Sequence, residues 1–228
     1  MTGPGSLLRL LQTTDSAFPS GGFAFSHGLE TLSVEGEVRD AAGVEAVLRS
    51  QVAPRWLEFD RHFLAAAHAA AGDGDGNGAA LAALDRDCEV QNTVAALASA
   101  SRRMGRALLT SHARIGTHGA AEALERVRAG TAHGHAPVVQ GLIGAGLGLS
   151  RAETEAGAFH ALIAGHTGAA IRLGRLGALE AQQVLARAIE TFAPRLAEAP
   201  PAEPAAFAPL IDIAAARRSA QSVTLFAT

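Results

Sequence analysis

Lysine and tyrosine are missing from all 228 residues, and cysteine and tryptophan occur once each. Each shortage closes off a class of chemistry. Without lysine there can be no P-loop, whose lysine reaches the outer phosphates of a nucleotide, and no Schiff-base enzyme. Without tyrosine there is no phenolic acid. The lone thiol, Cys88, cannot close an internal disulfide and falls within a helical pattern, so it reads as a small buried hydrophobe in a reducing compartment. Charge of either sign is sparse: 18% of residues are charged and the net charge is -3. That balance provides neither a basic footprint for nucleic acid nor an acidic solvating tail. Long apolar runs are lacking too. The most apolar, 136–149, contains Gln140 and stops at Arg151, short of the roughly 20 residues that span a bilayer. The amino terminus has no basic region, and Arg9 and Gln12 break the apolar run behind it, so no signal peptide is read. A soluble cytoplasmic protein is expected, with neither nucleic acid nor membrane as partner.

What is present is helical periodicity throughout, with nothing that alternates like a strand. The chain suits one all-α domain over 1–228, a helical bundle with a glycine/proline-rich turn near its start, a flexible Gly/Asp linker at 72–78, and a proline-rich linker at 199–209 leading to a short C-terminal helix. Residues 6–15 read as a short amphipathic helix. Asp40 is placed to cap a helix through Val44, Val47, Leu48 and Val52 that ends near Pro54, and Trp56 to Ala71 reads as another. From Ala79 to Leu109 apolar residues advance by threes and fours, with one six-residue step at Val94. This predicts a single central helix of about thirty residues, about 45 Å long. Further helices are expected over 118–128, from Pro137, from the capping box Ser150-Arg151-Ala152-Glu153, and over 178–196. Gly157, Ala161, Gly165 and Ala169 make a smooth stripe suited to close approach of a neighbouring helix.

Catalytic and metal motifs fail on inspection. Asp73-x-Asp75-x-Asn77-Gly78 fits the first half of a calcium loop, but Leu84 stands where the bidentate glutamate belongs. The nine histidines include three pairs spaced six apart, which do not share a helical face, and no H-E-x-x-H or E-x-x-H occurs. His133 and His135 alone could chelate locally, and they are read as an adventitious pair in a mobile loop. No dedicated metal site and no cofactor are expected, and the glycines at 141, 144, 146 and 148 match no nucleotide fingerprint.

The most unusual stretch is Phe18-Pro19-Ser20-Gly21-Gly22-Phe23-Ala24-Phe25-Ser26-His27-Gly28-Leu29-Glu30. Pro19 and the glycine pair predict a tight turn in which both glycines are free to take positive φ, with Gly22→Val expected to damage it, and a helix from about Phe23. Two readings stand, an aromatic plug for the core or a docking surface. Pro19-x-Gly21-Gly22-Phe23-x-x-Ser26-His27-Gly28-Leu29-Glu30 resembles the N-terminal signature of the urease accessory protein F family. Ser101-Arg102-Arg103-Met104-Gly105-Arg106, Pro137-Val138-Val139 and Ala170-Ile171-Arg172-Leu173 are similar as well. The resemblance implies an all-helical, catalytically silent homodimer. In that family it bridges a scaffold accessory protein (UreD/UreH type) and a nickel-dependent GTPase (UreG type) to load apo-urease, with an effect on the GTPase in view. It implies partner-binding roles for Pro19, Gly21, Gly22, Phe23, Ser26, His27, Gly28, Leu29 and Glu30, for Arg102, Arg103 and Arg106, and for Leu225 and Phe226. The tail departs from the family pattern: Arg217-Arg218-Ser219 and Thr224-Leu225-Phe226 stand where R-H-E and R-L-F are usual. The other readings open to the sequence are a free-standing nickel carrier and an all-α enzyme using His27, Glu30 and an arginine.

Overall fold

Alanine-rich periodic segments become helices wherever a cap can start them and a glycine or extended residue can stop them. A computed structural model describes residues 3–22, 25–72 and 78–218, and among these there are ten helices and no strand. They are α1 (Pro4–Thr14), α2 (Leu29–Val34), α3 (41–72), α4 (Gly78–Gln91), α5 (Ala95–Arg114), α6 (Ala120–Arg128), α7 (Ala136–Gly146), α8 (Arg151–Arg172), α9 (Ala178–Ala197) and α10 (Pro209–Arg218). The expected caps form. Asp40 Oδ1 accepts the Gly43 N–H at 3.0 Å, and Ser150 and Glu153 close a reciprocal box at the start of α8. The all-α expectation holds.

Helix boundaries differ from expectation at Pro54 and at Val94. Helix α3 does not end at Pro54. It runs through the proline by widening into π-turns at Leu48–Val52 and Trp56–Asp60, where Ala53 N–H donates to Leu48 O and Arg61 N–H to Trp56 O, five residues back. The wider turn carries the preceding carbonyls away from the pyrrolidine ring and from the N–H that proline lacks. The Ala79–Leu109 spine, by contrast, is two helices. Residues 92–94 are non-helical between α4 and α5, Val94 is extended (φ -88°, ψ 105°), and the side-chain Oδ1 of Asn92 accepts from the Arg55 guanidinium at 3.1 Å.

Three apolar clusters hold the bundle. The largest joins the first half of α3 to α8, α9, α2 and α10 through Leu29, Leu48, Trp56, Phe159, Ile163, Val184 and Ile211. The second ties α5, α6 and α7 through Leu109, Leu124 and Ile143, and the third packs Phe59 and Phe63 of α3 against Cys88 and Val138. Full burial of each large side chain stabilises by roughly 1.5–3 kcal/mol. Helices α3 and α7 lie unusually close because Gly141 sets bare backbone against Leu64 O, where a Cβ would collide. Arg61, 2% exposed, pairs with Glu155 of α8 at 2.9 Å and donates to Arg195 O, Leu196 O and Glu198 O at the end of α9. One guanidinium thus fastens three helices.

The small-residue stripe does not seat one helix along its length. Gly157 faces Leu10 of α1, a Cβ there falling 2.5 Å from Leu10 Cδ1, whereas nothing lies within 4 Å of a Cβ at Gly165, and Ala161 is exposed. Helix α1 is too short to cover the stripe. The proline-rich residues before α10 cross α3, with Ala205 N–H donating to Glu58 O at 2.9 Å and His62 meeting Pro201 O. Residues 73–77 of the Gly/Asp stretch lie outside the described residues.

Candidate functional site

The first half of the signature lies on the outside of α5. Asp15 Oδ1 accepts the Ala17 N–H at 2.7 Å, Phe18 N–H bonds back to Asp15 O, and Ser20 Oγ accepts the Gly22 N–H at 3.3 Å. This self-bonded turn is pressed onto the helix. Gly21 takes φ 74°, and a Cβ there would fall 2.9 Å from Ala107 Cβ, so glycine is required on both counts. Gly22 does not share that need: its φ is not positive and a Cβ would make ordinary contacts with Ser20 and Met104. The expectation that Gly22 is the critical glycine therefore passes to Gly21. Phe18 packs on His112 with ring centroids 5.0 Å apart, and Ser111 Oγ reaches Pro19 O at 3.0 Å.

That placement brings Pro19, Gly21 and Gly22 against the helix that carries Arg102, Arg103 and Arg106. Arg103 and Arg106 are exposed, but Arg102 turns away to Glu89 of α4 at 2.7 Å. The second half of the signature goes elsewhere. Ser26, Gly28, Leu29 and Glu30 are buried, Leu29 belonging to the main core and Gly28 lying against Ile211 and Ala214 of α10. The helix expected from about Phe23 begins only at Leu29, after His27 and Gly28 have both taken positive φ, 50° and 76°. The hydroxyls of Ser26, Thr31 and Ser33 and the Nδ1 atoms of His27 and His166 are shut from solvent without a hydrogen-bond partner among the described residues. Phe23, Leu225 and Phe226 lie outside those residues.

Beside α5, the 131–135 loop is locked rather than mobile. Asp85 of α4 accepts the backbone N–H groups of His133, Gly134 and His135 at 2.6–2.9 Å. The His135 ring is fully buried between Ser101 Oγ, 3.1 Å from Nδ1, and Glu89 Oε2, 2.6 Å from Nε2. Ala136 N–H donates to Ser101 Oγ. These bonds assign the proton to Nε2 and let the serine hydroxyl donate to Nδ1. His135 is thus a strut joining α4, α5 and α7, which corrects its reading as half of a loose chelating pair. Sequence reasoning missed Asp85 and Glu89 altogether, since nothing local marks them.

Burial sets the titration of the interior. It holds His27 down to about 3, helped by His166 and Arg55 nearby, and His112 and His166 down to about 4. His135 is lowered too, burial outweighing the pull of Glu89. For Glu89 burial pushes upward, but the bonds from Arg102 and His135 win and its carboxyl lies below the usual range. Burial and the neighbouring Asp60 and Asp85 push the Cys88 thiol up, so it is no nucleophile. Between the signature turn, α3, α5 and α8 lies a cavity of about 720 Å³, walled by Phe18, Phe25, Met104 and Leu108. At its floor Arg55 bonds Asp60 and Asn92.

Among the described residues, no group of three or more His, Cys, Asp or Glu side chains is arranged to hold a metal ion. None of their helices is long and apolar enough to cross a membrane. Comparison with known families decides the matter of kinship: the UreF family model matches residues 38–189. The chain belongs to the UreF family. Proteins called urease accessory protein UreF match it nearly end to end. The one from Cereibacter sphaeroides strain KD131 is 36% identical over 226 residues, covering 98% of this chain and 99% of the relative. That from Agrobacterium fabrum is 31% identical, covering 99% and 97% respectively. The Trichodesmium erythraeum protein is 32% identical over 183 residues, 78% of this chain and 76% of its own length. The UreF model begins after the signature turn, so α3 to α9 carry that match, while the longer alignments take in the signature as well.

Proposed function

We propose that this chain serves urease maturation as an adaptor, joining a scaffold accessory protein to a GTPase so that nickel, as cargo, reaches apo-urease. The observation that carries the reading is the near full-length similarity to UreF relatives on both sides of the alignment. The site adds support. A rigid turn bearing exposed Pro19 and Gly21 beside Arg103 and Arg106 offers shape and positive charge to an acidic protein surface. Such a patch suits recognition, and the interior histidines, neutral and enclosed, suit packing. The chain works as a homodimer and changes the rate of GTP hydrolysis through contacts made by this face. Copurification of the tagged full chain with the scaffold protein, the GTPase and apo-urease tests the reading. Capture of scaffold and GTPase together is the expected result. A chain that binds neither and turns over a small molecule overturns it.

A further inference from the structure

The geometry points to a second property of this chain, a serine nucleophile: Ser101, His135 and Glu89 form a Ser-His-Glu triad on the wall of the interior cavity, fitted to cleave small, uncharged esters of apolar acids. This inference stands apart from the adaptor reading. A hydroxyl becomes a nucleophile when a base stands within hydrogen-bond reach and a third group orients that base. Ser101 Oγ lies 3.1 Å from His135 Nδ1, and His135 Nε2 lies 2.6 Å from Glu89 Oε2. With the ring proton on Nε2 and held by the carboxylate, Nδ1 is left to take the serine proton. The roles are those of a serine hydrolase triad with the two ring nitrogens exchanged. Ser101 and Glu89 stand 34 and 46 residues from His135, so no local motif announces them.

What sets this arrangement apart from a plain strut is where the hydroxyl stands. Ser101 lines the 720 Å³ cavity together with Leu97, Met104 and Leu108, which share its face of α5 at helical spacing. One lone pair of Oγ accepts the Ala136 N–H at 3.1 Å, which leaves the other for attack. Ala136 also opens α7, and Gln140 one turn on lines the same cavity. Charge developing on a substrate oxygen thus meets the positive end of a helix and an amide donor. The walls beside Ser101 are apolar, and Arg55 at the floor is already paired with Asp60, which favours a neutral, apolar acyl group over a charged one. Asp15, Ser16 and Ala17, all exposed, form part of the rim through which an ester and water enter. In the reaction Oγ adds to the ester carbonyl carbon as its proton passes to Nδ1; the C–O bond then breaks and that proton leaves with the alcohol. Water adds to the acyl-serine, gives a proton to Nδ1, and Oγ recovers it as the acid departs.

The test uses the full chain and two probes, p-nitrophenyl butyrate and a fluorophosphonate whose phosphorus bonds to an activated serine oxygen as fluoride leaves. The native chain should hydrolyse the ester and take up one fluorophosphonate, mapped to Ser101, about a hundredfold faster than the chain unfolded in urea. Ser101→Ala should abolish both signals. Glu89→Gln keeps an acceptor for His135 but not the charge, and should slow labelling roughly tenfold with the added mass still on Ser101. Ser111→Ala is the control and should change neither, because that hydroxyl of the same helix bonds to Pro19 O and Ala107 O. If Ser101→Ala fails to fold, Ser101→Cys preserves the size of the site and should carry the butyryl group on sulfur. A native chain that is not labelled at Ser101, or is labelled no faster than the unfolded chain, overturns the inference, as does hydrolysis undiminished in Ser101→Ala.

Discussion

Acidification from about pH 7 to about pH 5.5 should strip the free protein of a large share of its stability, and three buried histidines set most of the amount, with His135 acting the same way and Asp60, its carboxyl pushed up by burial, acting against them. His27, His112 and His166 are held neutral in the fold, at about 3, 4 and 4, against 6.5 when unfolded. Each folded value lies below its unfolded one, so their stabilisation is complete above pH 6.5 and drains as protons bind the unfolded chain. At pH 5.5 an unfolded imidazole is about nine-tenths protonated while the buried ones remain neutral, a cost of roughly 1.2 kcal/mol each. The three together cost roughly 3–4 kcal/mol out of the ~5–15 kcal/mol that folded domains possess. Glu45 and Glu89, held below their ordinary values, lose their contribution only below about pH 4.5, outside this window. Urea unfolding at the two pH values, with unchanged slope, measures the difference as a shift in midpoint. His166→Gln should reduce the pH-dependent loss by roughly 1 kcal/mol. A midpoint that stays flat across the window, or rises, would refute neutral burial of these rings.

Arg61→Met should lower stability by ~3–5 kcal/mol by leaving Glu155 Oε2 and three carbonyls without their donor, Arg151 still holding Glu155 Oε1, seen as a fall in Tm of roughly 10 °C or more. Gly105→Ala should prevent native packing because its Cβ would collide with Gly134 O, whereas Gly165→Ala, facing open space, should leave circular dichroism and Tm unchanged. Arg106→Ala, at an exposed position with no partner among the described residues, should keep Tm and weaken partner binding severalfold in a salt-dependent way. Arg102→Ala should instead cost stability, since it releases Glu89, the support of His135.

Local signals in the sequence were legible and long-range ones were not. Periodicity and caps marked most helices because Asp40 and Ser150 act within one turn of themselves. The break before α5 also had a local mark, the six-residue step at Val94, which turns the apolar stripe aside by about 120°. Passage through Pro54 had none, for a π-turn is decided by packing on both sides. The division of the signature into an outer turn and a buried segment depends on α5 and α10, encoded some eighty and one hundred and eighty residues later. The Asp85 and Glu89 bonds to the 133–135 loop span 46–50 residues, so no pattern near either carboxylate could reveal them.

The two π-turns of α3 also act as a phase shift. Each adds one residue to a turn and so rotates everything beyond it by about 100°, about 200° for the pair. A single rod can therefore aim Val44, Leu48 and Val52 at α8 and α9, then Phe59, Phe63 and Ala67 at α4 and α7. Deleting one residue from either widened turn would leave the helix intact yet point its far half at the wrong neighbours. The reading frame of this helix, more than its composition, keeps the two halves of the molecule in register.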